Sequence, residues 1–254
     1  MSGDWVIEGD FAGDGAVCVR GAFTSEHVAM AEQAIEANLA TLSPLAKRAS
    51  ADDDGAFVED FCNWAAVIAD GALHPRVARR PDRCRPDGVL DGAPVSRPRV
   101  GQGAGTLQRT SWHQDQPYDD VEGRHNASMW FPVDAVDRSS TLEFVAGTHR
   151  GPWYMPRTFL DDRAAWFPEG ALAEMPDFAA DPERWRVIGW ELEPGDAVFF
   201  DMSTVHGSGG ASGPGRRRVL SIRFLGDDMV HAPRDWDTSP PVSYTHLTLP
   251  TKIV

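Results

Sequence analysis

From Thr106 onward the chain is built of short β-prone runs separated by turns rich in glycine and proline. The runs fall at 127–131, 141–145, 185–192, 197–199 and 218–224, and Glu193-Pro-Gly-Asp196 is a turn signal between two of them. A parallel α/β sheet needs a long crossover, usually a helix, between successive strands. Many short strands with turn punctuation instead predict a mainly β fold, a sandwich or jelly roll. Between two of the runs, 156–182 is longer and irregular. It reads as a lid or substrate loop, or as a plain surface insertion.

The first third has a different pattern. Residues 16–19 form a β-prone run after Gly-Asp-Gly. Thr24 or Ser25 can cap a helix with Glu26 in its first turn, and Val28, Ala31, Ile35, Leu39 and Leu42 then recur at helical spacing. Pro44 lies where that helix would stop, and a second helical stretch is expected from 57 to about 72. The expected class is therefore mainly β with N-terminal helices.

Composition narrows the function. No run of 18 apolar residues exists, so no membrane-spanning helix is expected. The start, Met1-Ser-Gly-Asp-Trp5, has neither the basic nor the apolar region of a signal peptide. Cys18, Cys62 and Cys84 are odd in number and lack C-x-x-C spacing, which points to a reducing cytoplasm rather than a disulfide framework or zinc ribbon. A formal charge of −14 repels phosphate backbones and anionic lipid, so neither nucleic acid nor a membrane is an expected partner. Nine Trp and twelve Phe are too many for a disordered acidic chain. The sequence carries no signal for an oligomeric state.

One constellation carries chemistry. In Ser111-Trp-His-Gln-Asp-Gln-Pro117, His113 and Asp115 stand at i and i+2, which on a strand places both side chains on one face. Taken alone, His113 reads as an ordinary polar residue. Asp201-Met-Ser-Thr-Val-His206 adds a second histidine just after the run at 197–199. Two histidines and one carboxylate on a β scaffold make the facial triad of non-haem Fe(II) oxygenases, which leaves three adjacent positions open. Eleven residues past His206 comes Arg217, whose guanidinium could grip one end of a dicarboxylate whose other end chelates the metal. Its neighbours Arg216 and Arg218 fall on the opposite strand face and read as a solvated edge.

Taken together, Trp112-His-Gln-Asp115, Thr141-Leu-Glu-Phe-Val-Ala-Gly-Thr-His149, Glu193-Pro-Gly-Asp196 and His206-Gly-Ser-Gly with Arg217 downstream resemble the phytanoyl-CoA dioxygenase family of Fe(II)/2-oxoglutarate oxygenases. The resemblance covers about 10–75 and 106–235. It implies a double-stranded β-helix (a cupin-like jelly roll). It also implies Fe(II) held by His113, Asp115 and His206, and Arg217 on the C5 carboxylate of 2-oxoglutarate. The implied reaction consumes O2, releases succinate and CO2, and hydroxylates a substrate, with ascorbate as a stimulant. Related halogenases lack the carboxylate at the position of Asp115, so its presence here favours hydroxylation. Trp130 matches an aromatic position near the site in such proteins, or is an ordinary core Trp. His149 matches a family turn motif and is taken as structural. Two other readings stay open, a cupin-like metal- or sugar-binding module without turnover and a zinc hydrolase. Arg217 favours the oxygenase over the first, and no obvious general base near His113 supports the second. The acidic charge gives no help in binding an anionic CoA ester, so a small metabolite is the expected substrate.

Two stretches depart from the family pattern. Residues 79–105 are rich in Arg, Pro and Gly where the family has a strand. Regrouping their degenerate codons one base later allows aromatic-His-Asp-His-Val-Leu-Val-Lys-Glu-Pro, running back into frame at Gly105-Thr106. The stretch therefore reads as a compensated frameshift, and as written it is expected to be irregular or exposed and to leave a sheet position unpaired next to the Trp112–Asp115 strand. Residues 242–254, with His246, read as a non-native tail behind one oxygenase domain at 1–241.

Overall fold

The structure, a computed structural model, describes residues 5–42, 46–48, 58–61, 99–104, 110–155, 167–209 and 216–236. The strands are β1 (Val6–Asp10), β2 (Ala16–Arg20), β3 (Lys47–Arg48), β4 (Val58–Phe61), β5 (Arg99–Ala104), β6 (Thr110–His113), β7 (Val121–Glu122), β8 (Asn126–Pro132), β9 (Leu142–Val145), β10 (Val187–Ile188), β11 (Ala197–Phe200), β12 (His206–Ser208), β13 (Arg216–Leu225) and β14 (Val230–His231). A single helical turn, α1 (Phe11–Asp14), and one longer helix, α2 (Ser25–Ala40), join the first strands.

The strands form a large sheet in the order β1-β2-β11-β8-β13-β5-β4-β3, a smaller one in the order β10-β9-β12-β6, and a pair β14-β7. The ladders within them are antiparallel. Two facing antiparallel sheets with few helices are the expected jelly roll, the double-stranded β-helix.

Side-chain alternation explains why the large sheet is apolar on both faces. Val17, Val19, Ala127, Met129, Phe131, Ala197, Phe199, Leu220, Ile222 and Phe224 turn to one side and pack with Ala31, Ala34 and Ile35 of α2. Residues of the other parity, Ala16, Cys18, Val198 and Phe200, turn inward and meet Leu142 and Phe144 of the smaller sheet. A strand covered on both faces reads as a continuous apolar run, as Ala-Val-Phe-Phe in β11 does.

Helix α2 starts where the sequence places it. The Thr24 hydroxyl accepts from the His27 N–H, and the His27 ring returns a bond to the Thr24 N–H, a reciprocal cap in which histidine takes the usual place of Glu or Gln. Its buried stripe is His27, Ala31, Ala34, Ile35 and Asn38, turned slightly from the expected one. Polar residues can enter the stripe because they have partners, as when the Asn38 amide donates to Asp60 at 3.0 Å. The helix ends at Ala40, so Leu42 lies beyond it, and Pro44 lies outside the described residues.

Three expectations need correction. The second helix does not begin at 57, since Val58–Phe61 is β4, laddered to β5 from Val58↔Gln102 to Phe61↔Arg99. A short apolar run does not discriminate helix from strand, and a waiting ladder partner decides it. Residues 62–72 lie outside the described ones. Second, the 99–104 part of that stretch is not irregular, while β6, the strand of Trp112, does stand at a sheet edge, laddered only to β12 among the described residues. Arg99–Ala104 is β5, seated between β13 and β4. A ladder is closed by backbone N–H and C=O groups, which a glycine-rich segment supplies as well as any other. Residues 79–98 and 105, and 242–254 with His246, lie outside the described residues. Third, 185–192 is mostly not strand. Its regular part is β10, with an isolated bridge at Val136↔Leu192. The irregular reading of 156–182 holds for 167–182, and 156–166 lies outside the described residues. No helix among the described residues is long and apolar enough to cross a membrane.

Candidate metal centre

His113 ends β6 and His206 opens β12, and the ladder between those strands pairs them directly. Directly opposed residues share a sheet face, which brings the two rings to 4.2 Å between centroids. Each ring is oriented by its own chain. His113 Nδ1 lies 2.9 Å from the Ser111 carbonyl, and His206 Nδ1 lies 2.9 Å from the Thr204 carbonyl. A carbonyl only accepts, so both Nδ1 atoms carry the proton and both Nε2 atoms offer a lone pair. Burial, reinforced by His113 alongside, pushes the His206 imidazole down to about 3, so the ring stays neutral.

Asp115 reaches the same place by a different route from the one expected. His113 is the last residue of its strand, and Asp115 adopts a right-handed helical conformation (φ −74°, ψ −39°) that opens the 3₁₀ turn Gln116–Tyr118. Pro117, with its fixed φ, suits the first turn of such a helix. The turn, rather than strand alternation, brings the carboxylate round. Its Oδ1 lies 4.0 Å from His113 Nε2 and 3.9 Å from His206 Nε2, and all three ligand atoms fall within 4.8 Å of one another. With His206 neutral, its approach to Asp115 is no ion pair.

The glutamines of the motif face elsewhere and hold it. Gln114 is fully buried, donates to the Ser203 carbonyl at 2.6 Å and accepts from the Tyr154 N–H at 2.8 Å. Gln116 accepts from the Ser203 hydroxyl at 2.6 Å. Both bind the motif to the turn that precedes His206. Asp201 shapes that turn by accepting from the Ser203 N–H at 2.7 Å, and burial pushes its carboxyl up to about 6.

The large sheet supplies the opposite wall. Trp130, Arg217 and Arg223 line one cavity with His113, Asp115 and His206. Arg217 donates to the Ser140 carbonyl, and burial pushes its pKa down. Arg216 and Arg218 take the outer face, as alternation requires, but not as a solvated edge. Arg216 pairs with Glu36 at 2.9 Å, and Arg218 pairs with Asp134 at 2.6 Å, Glu32 at 2.7 Å and Glu36 at 2.8 Å.

Sequence reading missed Arg223, Ser128 and Glu59. Arg223 lies 2.7 Å from Asp115 Oδ2, to which the Ser128 hydroxyl also donates at 2.8 Å, and Glu59 lines the cavity from β4. The signal for Arg223 was parity, six residues past Arg217 on the same strand. Glu59 had none, since 57–72 read as helix. His149 takes no part in the cluster. Its ring reaches the Ala12 carbonyl at 3.2 Å and packs over Gly15, whose φ of +82° and lack of a Cβ the contact requires. A second group, His125, Asp227 and Asp228, is exposed, and Asp228 spends its oxygens on the N–H groups of Arg124 and His125.

The family model and the curated relative point to one family. The family model described as "Phytanoyl-CoA dioxygenase (PhyH)" matches residues 11–219. A Caenorhabditis elegans protein called "Probable phytanoyl-CoA dioxygenase" is 30% identical over 105 residues, which is 39% of this chain and 30% of the worm protein's length. The crystal structure of the epimerase SnoN in complex with Fe3+, alpha ketoglutarate and nogalamycin RO superposes with a TM-score of 0.64 at 19% identity, over 88% of this chain and 83% of that one. EvdO2 from Micromonospora carbonacea var. aurantiaca complexed with 2-oxoglutarate gives 0.60 at 18% identity, over 91% and 96%. At such identities these two structures speak to the fold.

Proposed function

The chain belongs to the phytanoyl-CoA dioxygenase family, and on that premise we propose that it is an Fe(II)- and 2-oxoglutarate-dependent dioxygenase that hydroxylates a small molecule. The observation that carries the reading is the buried meeting of two Nε2 lone pairs and one carboxylate oxygen. Two bonds of about 2.1 Å to one ion put their ligand atoms no more than about 4.2 Å apart. That is the limit for opposed ligands, and adjacent ones stand about 3 Å apart, so the 4.0 and 3.9 Å separations at Asp115 would close by about 1 Å around an ion. Neutral imidazoles with one carboxylate suit a divalent transition metal, and three ligands leave room for a chelating cosubstrate.

In this reading His113, Asp115 and His206 hold Fe(II), and the bound metal supplies O2 activation and the oxidation of 2-oxoglutarate to succinate and CO2. The protein does the rest by position. The carbonyls of Ser111 and Thr204 fix the imidazoles so that no ring flip or loss of a proton is needed for binding. Arg217 takes the C5 carboxylate of 2-oxoglutarate, and its place on the inner face of β13 supports that role. Trp130 walls the same cavity and excludes water from it. Buried charge in such a cavity acts with little screening. SnoN, solved with Fe3+ and alpha ketoglutarate, and EvdO2, solved with 2-oxoglutarate, support iron and 2-oxoglutarate as the groups bound.

The test is succinate formation from 2-oxoglutarate with Fe(II), O2 and ascorbate, run across a panel of small metabolites. Succinate above the enzyme-free rate, stimulated by one of them, is the expected result. Tight metal binding with no succinate under any condition would mean a cupin-like binding module instead.

The same reading makes 1–241 one oxygenase domain, 79–105 a stretch carried in a shifted frame, and 242–254 a non-native tail. Restoring the frame should raise soluble yield and 2-oxoglutarate turnover together. A restored chain no better than this one would make the departure real divergence.

A further inference from the structure

Asp115 is 1% exposed and its two oxygens have different surroundings. Oδ1 faces the two histidines, at 4.0 and 3.9 Å. Oδ2 is taken from the other side by the Arg223 guanidinium at 2.7 Å and the Ser128 hydroxyl at 2.8 Å. Arg223 is itself 4% exposed and donates through its other terminal nitrogen to the Ser221 hydroxyl at 2.5 Å. Ser128, Ser221 and Arg223 all stand on the inner parity of the large sheet, where β8 and β13 pair Arg223 directly with Ser128. A guanidinium buried at that point has no solvation reason to be there, and its place is set by the carboxylate it meets.

We propose that Arg223, assisted by Ser128, is a positioning residue that keeps Asp115 a one-oxygen ligand and so preserves the coordination position that 2-oxoglutarate needs. The proposal rests on the iron-site reading above. A carboxylate binds a cation through one oxygen or through both. In the second mode it fills two positions, and with two histidines it leaves a six-coordinate ion short of the three that a chelating cosubstrate and O2 require. A charge-assisted bond from a buried guanidinium opposes that swing, because turning Oδ2 to the metal would break that bond in a dry site. Arg217 and Arg223 thus divide the work on one face of β13. The first meets the cosubstrate, and the second keeps its place vacant.

The test uses the full chain loaded with Co(II), whose visible bands report coordination number, followed by 2-oxoglutarate titration at saturating metal. Arg223→Gln and Ser128→Ala should each change the Co(II) spectrum before any cosubstrate is added, Arg223→Gln the more. Arg223→Gln should also weaken 2-oxoglutarate binding by about tenfold or more. Arg223→Lys, which keeps the charge, should recover part of both effects. Arg217→Ala should weaken 2-oxoglutarate binding while leaving the cosubstrate-free spectrum as it is. Ser128→Ala leaves no buried charge behind, so it decides the matter if Arg223→Gln does not fold. Wild-type spectra and wild-type 2-oxoglutarate affinity in the Arg223 and Ser128 variants would overturn the positioning role while leaving the iron site standing. A wild-type chain showing neither Co(II) bands nor a response to 2-oxoglutarate would overturn both.

Discussion

Strand β13 presents two faces that are held together by different forces. Outward, Leu220, Ile222 and Phe224 pack against α2, Arg216 and Arg218 fasten the same helix through Glu32 and Glu36, and Arg218 also pairs with Asp134 beyond β8. Inward, Arg217, Ser221 and Arg223 face a cavity shared with two histidines and a carboxylate. The outer face spends its residues on burial, while the inner one buries charge that packing alone would not select. Adjacent residues of a single strand therefore answer to different constraints, and substitutions on the two faces should separate stability from activity.

The largest separation is expected at the histidine pair. His206→Ala should lower 2-oxoglutarate turnover by at least about 100-fold, a loss at least as large as that typical of outer-shell partners. The ring is buried against Phe144, Phe200 and His113, so some stability goes with it, but the turnover loss should far exceed the fraction of protein unfolded. Turnover assays beside thermal melts check this, and a parallel collapse of both would merge the two faces again.

Phe131→Ala on the helix-facing side should do the opposite. Phe131 is fully buried against α2 and its truncation should cost about 3–5 kcal/mol in urea unfolding. Protein that remains folded should retain its 2-oxoglutarate affinity.

Arg217→Ala should raise the 2-oxoglutarate concentration needed for half-maximal turnover by about tenfold while leaving Fe(II) binding unchanged, since a bond to a charged group is worth about 1.5–3 kcal/mol. Arg216→Ala, one residue away on the outer face, should cost less than about 1 kcal/mol of stability and leave the cosubstrate response alone. An equal cosubstrate effect at both positions would refute the alternation argument.

The smallest effect is a pH dependence at Asp201, in the turn between the two sheets. Burial raises its carboxyl to about 6 in the folded chain, above the unfolded value of about 3.9. The protonated acid is therefore favoured by folding, and the stability it gives is present below about pH 4 and lost as pH rises through 6. Asp201→Asn keeps an acceptor for the Ser203 N–H and removes that loss. It should stabilise the protein by on the order of 1–2 kcal/mol at pH 7.5 and by nothing at pH 4. Urea unfolding at the two pH values checks it, and a gain at both would place the cause elsewhere.

Much of the site could be read from residue types, because ligation needs particular atoms. His113, Asp115 and His206 announced a chemistry by kind and order, and Arg217 by its distance past His206. Parity on β13 correctly sent Arg217 inward and its neighbours outward. Parity could not supply their partners, since Glu32 and Glu36 belong to a helix nearly two hundred residues earlier. Arg223 stood in the same run and went unread because its partner, Asp115, arrives from the other sheet.

Local sequence determined the turns, the helix cap at Thr24, the run-and-turn rhythm of a jelly roll and the identity of the candidate ligand residues, because each depends on a few neighbouring side chains. Tertiary structure decided the rest. It made 58–61 and 99–104 strands, because an open ladder position outweighs weak local preference. It brought Asp115 to the histidines through a 3₁₀ turn rather than along a strand, because Gln114 and Gln116 are anchored to the turn before His206. It also gave the two oxygens of Asp115 different neighbours, because only the packing of one sheet on the other sets Arg223 behind the carboxylate and the imidazoles in front of it.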